Sequence, residues 1–171
     1  RIHFVTVLTA STHTMSGQLS MTFAALAEHP DQWAEVVRDP DLIPQTVVET
    51  ARWRPGVWSL WRPAKAGVSV AGVEFPPGTT FACNVISANR DPSIWDEPDR
   101  MNIHRTPSSK PLLQWSIGRH FCPGRPYAVE QIEEALRVAN AKLGVFAIDP
   151  FEYSGAPFDV SPEQMQCHLE N

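Results

Sequence analysis

The residues whose types and spacing could do chemistry lie between Trp115 and Gly124, in the run Trp-Ser-Ile-Gly-Arg-His-Phe-Cys-Pro-Gly. This stretch reads as a loop that delivers a single cysteine, Cys122, to the start of a helix. Pro126 suits a first helical turn, where a missing N–H costs nothing. Beyond it Ala128, Ile132, Ala135, Leu136 and Ala139 recur at helical spacing, with Glu130, Glu133 and Glu134 mostly on the other side. The helix is therefore expected over 126–143, with Gly144 stopping it. Gly118 and Gly124 let the backbone turn tightly and approach something flat or bulky. A thiol in this place faces the positive end of a helix dipole and unpaired N–H groups, which favour the thiolate. The competing reading is a small buried hydrophobe. The flanking glycines and His120 fit that poorly, so Cys122 reads as a ligand or a nucleophile.

Three other groups compete for attention. Glu49 and Arg52 stand three apart and share one face of a helix expected over 43–53. As a solvated surface pair they would contribute less than about 1 kcal/mol; set among Val47, Val48 and Ala51, they need a further cation to mean more. The hydroxyl-rich run Thr9-Ala-Ser-Thr-His-Thr14 lies inside a long helix expected over 2–28. Either its hydroxyls bond back to carbonyls one turn earlier, or the helix is locally distorted and they line a polar pocket. Composition does not choose between these. Cys167 and His168 suggest a metal pair, but neighbours on a strand point to opposite faces.

The remaining elements follow from breakers and periodicity. A short helix is expected over 31–38, between Pro30 and Pro40. A β region over 57–83 contains a β-meander built from Val68–Val70, Val73–Phe75 and Thr79–Cys83. A short helix starts near Asn84. The Pro-rich stretch 93–113 has no regular structure, is long for a compact domain, and needs anchors, for which Arg100 and Arg105 are the candidates. Region 145–171 reads as strand and turn. The fold class is mainly α with small β-meanders.

Composition narrows the function. The 171 residues carry a net charge of −5, against a nucleic-acid or polybasic membrane role, and 43% hydrophobic residues, enough for a core. Three dispersed cysteines form no disulfide framework or zinc pattern, which fits a reducing, cytoplasmic setting. No run is long and apolar enough to span a membrane.

The loop ending in Cys122 resembles the haem-binding loop of the cytochrome P-450 family, Phe-x-x-Gly-x-His/Arg-x-Cys-x-Gly, departing from it only in Trp115. Glu49-Thr-Ala-Arg52 is similar to the family's Glu-x-x-Arg, and Ala88-Asn-Arg-Asp-Pro92 and Glu97-Pro-Asp-Arg100 resemble the boundaries of its meander. The resemblance covers nearly the whole chain, as the C-terminal portion of a bacterial, soluble-type member. It implies haem b ligated by Cys122, with Trp115, Gly118, Gly124 and Ala10 around it and His120 and Arg62 as propionate partners. It also implies a structural triad of Glu49, Arg52 and Arg100. Thr14 takes the place of the proton-delivering threonine, and His13 stands where an acid is usual. Ser11 replaces a glycine. Substrate, a small organic or peptide-like molecule, would lie between Ala10 and the Val57-Trp58-Ser59 segment, with a turn at 154–158 closing the pocket.

The function so implied is a haem-thiolate monooxygenase taking electrons from a ferredoxin-type donor that docks near Arg119 and Arg125. His13 and Ser11 leave open an unusual chemistry (oxidative coupling, peroxide or nitric oxide chemistry), and a non-catalytic haem protein is a third reading. The family fold is much longer, so the expectation is a fragment whose N-terminal half lies elsewhere, in the same or another chain.

Overall fold

The computed structural model describes residues 2–105, 110–153 and 164–169, with side chains from residue 10 onward except at 169. Helix α1 (Ile2–Ala27) runs unbroken through the hydroxyl-rich stretch. Its hydroxyls bond back along the helix: Thr14 to the Ala10 carbonyl, Ser16 to that of His13 at 3.0 Å, Ser20 to that of Ser16 at 2.9 Å. Within the run Thr14 bonds back and the helix continues without a break, while Ser11 and Thr14 also border the cleft described below. Helix α2 (Pro30–Arg38) starts on its proline, a 3-10 turn follows at Pro40–Leu42, and α3 spans Ile43–Trp53.

The region after α3 corrects one expectation. Strands β2 (Val68–Val70) and β3 (Val73–Phe75) pair with each other, but β4 (Thr80–Asn84) pairs with β1 (Ser59–Pro63), antiparallel, Ser59 opposite Asn84. The result is one hairpin nested inside another rather than a three-stranded meander. The Pro76-Pro77-Gly78 turn separates β3 from β4, and Gly78 adopts φ +87°, so the chain swings away from β3 to reach β1. Helix α4 (Val85–Ala88) is capped by Asn84, whose side chain accepts from Ser87 N–H at 2.9 Å. Helix α5 (Arg125–Leu143) ends at Gly144, φ +65°, and β5 (Phe146–Ile148) pairs with β6 (Cys167–Leu169). His168 reaches Asp149 at 2.8 Å. Among the described residues no three His, Cys, Asp or Glu side chains gather as a metal site.

The core forms where α1, α2, α3 and α5 meet. Ala25, Leu26, Trp33, Val36, Ile43, Val47, Ile132, Leu136 and Phe146 close it, joined by Met101 and Ile103 from the long loop. Trp33 is its largest member; its ring lies 5.5 Å from Phe146, and its indole N–H donates to the Gly144 carbonyl at 2.9 Å. A smaller cluster of Ala51, Trp95 and Leu112 supports Trp115 at the entry to the cysteine loop.

The long loop is ordered by short local bonds as well as by this core. The Asp91 carboxylate accepts from the Ser93 hydroxyl at 2.6 Å and from its N–H at 2.8 Å. The hydroxyl bond first, and then the N–H, hold its carboxyl below the usual aspartate range. A depressed carboxyl adds stability above its unfolded value, and that contribution fades as pH falls through the folded value. Replacing Ser93 by Ala is therefore expected to move the Asp91 titration upward, as read from its side-chain carboxyl carbon by NMR. An unmoved titration would show that the hydroxyl bond does not set it.

Candidate functional site

The cysteine loop is built from two short turns. A 3-10 turn at Leu113–Trp115 ends at Ser116, whose φ of 58° is unusual for a residue with a side chain. Ser116 is held there by Arg62, which donates to its hydroxyl at 2.9 Å. A second 3-10 turn at Gly118–His120 follows, and Gly118 takes φ +62°, a backbone shape that calls for glycine. The loop closes when Cys122 N–H donates to the Trp115 carbonyl at 2.8 Å, and the Cys122 carbonyl accepts from Arg125 N–H at 3.3 Å. Cys122 is thus a free, half-exposed thiol three residues before α5 begins. Gly124 has an ordinary helical backbone (φ −83°) and so makes no glycine-requiring turn; a Cβ there would sit 3.9 Å from the sulfur, in ordinary contact.

Facing this loop across a cleft of about 300 Å³ is one side of α1. Ala10, Ser11, Thr14, Met15 and Gln18 line it from the helix; Gly56 and Val57 line it from the segment after α3. Trp115, Cys122 and Gly124 line it from the loop. Ala10, Thr14 and Gln18 follow one another at i, i+4 spacing and so share a face. His13 precedes Thr14 by one residue, about 100° around the helix. It is not among the residues lining the cleft.

Of the residues expected from the sequence, the cleft gathers Ala10, Thr14, Val57, Trp115, Cys122 and Gly124. Trp58, Ser59, Gly118, Arg62 and His120 do not line it. Trp58 packs instead on Tyr153, ring centroids 5.8 Å apart, and Tyr153 also bonds Arg54. Burial pushes the Tyr153 phenol up from its ordinary value, against the opposing pull of Arg54. Arg62, besides holding Ser116, donates to the Trp61 carbonyl at 2.8 Å. The expected turn at 154–158 lies outside the described residues.

The Glu49–Arg52 pair is deeply buried, at 3% and 1% exposure, which excludes the solvated surface reading. Its third cation is Arg105, not Arg100. The Arg105 Nε lies 3.2 and 3.1 Å from the two Glu49 oxygens, whereas the Arg100 side chain is exposed and reaches Glu97. What Arg100 contributes is its carbonyl, which accepts from Arg52 at 2.9 Å. The physical reason is the turn at Glu97–Arg100, which points the Arg100 side chain to solvent while Arg105 doubles back over Glu49. Arg52 spends its remaining donors on the carbonyls of Asn89 at 3.0 Å and Pro98 at 2.7 Å. Glu49 also accepts from Asn102 N–H at 2.9 Å. The pair therefore ties down the long loop by its backbone.

Sequence reasoning missed Gln18, Gln114 and Ser116. Gln18 shares the helical face of Ala10 and Thr14, a signal available in its spacing; Gln114 and Ser116 carry no periodic signal.

A lone loop cysteine, a close-packed Glu-x-x-Arg pair and a long helix across the cleft together invite comparison with known proteins. The family model described as Cytochrome P450 matches residues 1–137. The chain is 34% identical over 152 residues to luteothin monooxygenase of Streptomyces thioluteus, covering 88% of this chain and 36% of that protein. It is also 34% identical over 148 residues to erythromycin C-12 hydroxylase of Saccharopolyspora erythraea, covering 86% and 37%. The solved structure of a mutant of P450 EryK in complex with erythromycin B superposes with a TM-score of 0.90 at 28% identity, over 96% of this chain and 43% of that one. The chain thus spans a little over a third of the length of these two curated relatives. On the sequence match and the shared architecture together, the chain belongs to the cytochrome P450 family.

Proposed function

We propose that this chain supplies the cysteine side of a haem-thiolate monooxygenase that oxidises an organic, biosynthetic substrate. The observation that carries the reading is the single free thiol of Cys122 set across one cleft from the small-residue face of α1. The donor set fits haem b. With no protein-built cluster of metal ligands among the described residues, a lone soft sulfur suits an iron whose other ligands come from a macrocycle. Ala10 and Gly124 leave room beside it, and Arg62 and His120 are the donors for its propionates. When bound, such a group supplies dioxygen activation, which a thiolate ligand favours by donating electron density.

The chain's own residues do the positioning. Trp115, Gly118 and Gly124 shape the loop that presents the sulfur. Thr14 keeps its hydroxyl proton on the Ala10 carbonyl and must turn from it to offer that proton to the cleft. His13 neighbours Thr14 on α1 without lining the cleft, so a chemistry driven by it would act through another group. Substrate is placed between Ala10 and Val57, with Trp58 and Ser59 behind that wall. Electrons come from a ferredoxin-type donor at the exposed Arg119 and Arg125. A second groove of about 850 Å³ runs between α1 and α5, lined by Leu19, Phe23, Ala135 and Val138.

The deciding measurement is the carbon monoxide difference spectrum of the reduced, haem-loaded protein. A strongly red-shifted Soret band that disappears in Cys122→Ala is expected. A band at the ordinary histidine position, or one that survives the substitution, would overturn the assignment.

A further inference from the structure

Two buried glutamines form a chain of hydrogen bonds between α1 and the cysteine loop that neither the loop nor the helix explains by itself. Gln18, 5% exposed, accepts from Gly56 N–H at 2.8 Å and donates to the Arg54 carbonyl at 3.3 Å. Gly56 comes so close to α1 that a Cβ there would lie 2.9 Å from the Gln18 backbone nitrogen, so α1 is pressed against the segment after α3 at this point. Gln114, 7% exposed, has one amide orientation in which every atom meets a complementary partner. Its nitrogen then donates to Gln18 Oε1 at 2.9 Å and to the Ala51 carbonyl at 3.2 Å, and its oxygen accepts from the Trp115 indole N–H at 3.3 Å. Trp115 in turn gives its carbonyl to the Cys122 N–H at 2.8 Å. Gln18, Gln114, Trp115 and Cys122 all border the same cleft.

We propose that Gln114 is a positioning residue for Cys122, setting the loop against α1 through the Trp115 indole on one side and Gln18 on the other. A tryptophan indole at the base of a ligand loop brings a donor that a phenyl ring would not, and Gln114 is the acceptor it meets. Gln114 can hold that acceptor in place because its own nitrogen is fixed by two further oxygens. Breaking one partner leaves the others unpaired, whereas removing both sides of a bond with groups of similar shape is nearly neutral. The proposal rests on the haem-thiolate reading for what the sulfur does, but not for whether the sulfur is held.

The test is a double-mutant cycle of Gln114→Met with Trp115→Phe, in the intact protein with Cys83 and Cys167 changed to Ser so that only Cys122 reacts. Methionine keeps the volume of Gln114 and removes its polar atoms. In protein without added haem, Gln114→Met is expected to raise the rate at which Ellman's reagent modifies Cys122 by about tenfold, as the loop loosens. In the Trp115→Phe background the same change is expected to have little effect, because the orphaned indole N–H is gone. Gln18→Leu should reproduce the Gln114→Met result with Trp115 present. Equal effects in both backgrounds, or an unchanged rate in Gln114→Met, would overturn the proposal. Circular dichroism separates a loosened loop from an unfolded chain, and an unfolded Gln114→Met that Trp115→Phe does not rescue also counts against it. The carbon monoxide spectrum of the parent reports on the haem reading independently. A parent without the red-shifted band but with the coupled thiol rates would sink that reading and keep this one.

Discussion

Replacing Glu49 by Ala is expected to destabilise the fold by about 3–5 kcal/mol, the range for removing one partner of a buried, hydrogen-bonded ion pair. The magnitude follows from what is left behind. Arg52, 1% exposed, would keep its charge with no carboxylate, and Arg105 and the Asn102 N–H would lose their acceptor at the same time. A sharper outcome separates the two arginines of the long loop. Arg105→Ala is expected to cost several times more than Arg100→Ala. The Arg100 guanidinium is largely exposed, and its pair with Glu97 at 3.5 Å falls among surface pairs worth less than about 1 kcal/mol. Urea unfolding of the three variants gives the ranking directly. Equal losses for Arg100→Ala and Arg105→Ala would contradict the assignment of Arg105 as the third member.

Trp33→Ala is expected to destabilise by a similar amount, about 3–5 kcal/mol, by opening a cavity where α2 meets β5. Trp33 is fully buried, packs on Phe146, and carries the bond from its indole N–H to the Gly144 carbonyl. That bond stitches the stop of α5 to α2 across more than a hundred residues of chain. Trp33→Phe separates the two contributions: it keeps most of the ring's burial and loses the hydrogen bond, so a smaller loss of about 1–3 kcal/mol is expected. Thermal unfolding of both variants measures the difference. A Phe variant as unstable as the Ala variant would mean that the hydrogen bond to Gly144, not cavity volume, sets the cost.

Much of this protein was legible in one dimension because its signals are local. Helices α1, α3 and α5 announce themselves by apolar spacing and by the prolines that start or stop them, and the structure places their ends within a residue or so of the expected positions. Gly118 and Gly144 were readable for the same reason: each does take a positive φ. The Glu49–Arg52 pair was readable as a helix-face pair, and the cysteine loop as a loop feeding a helix.

What the sequence could not decide depends on contacts between distant parts of the chain. Strand partners are one case. Val73–Phe75 and Thr80–Asn84 have equal strand character, and only the swing at Gly78 pairs the second with β1. The third cation is another, since Arg100 and Arg105 stand on the same loop, and only its path over Glu49 selects Arg105. Gln18 and Gln114 looked like ordinary polar residues until folding buried them against each other. Their role exists only because α1, the segment at Gly56 and the cysteine loop are brought within hydrogen-bond reach. By itself the sequence determined the helices, the turn glycines Gly118 and Gly144, and the placing of a lone cysteine ahead of α5, all set by backbone preference and short-range periodicity. The tertiary structure decided which charges are buried together, which strands pair, and what holds the cysteine loop against α1, because those depend on desolvation and on partners far apart in the chain.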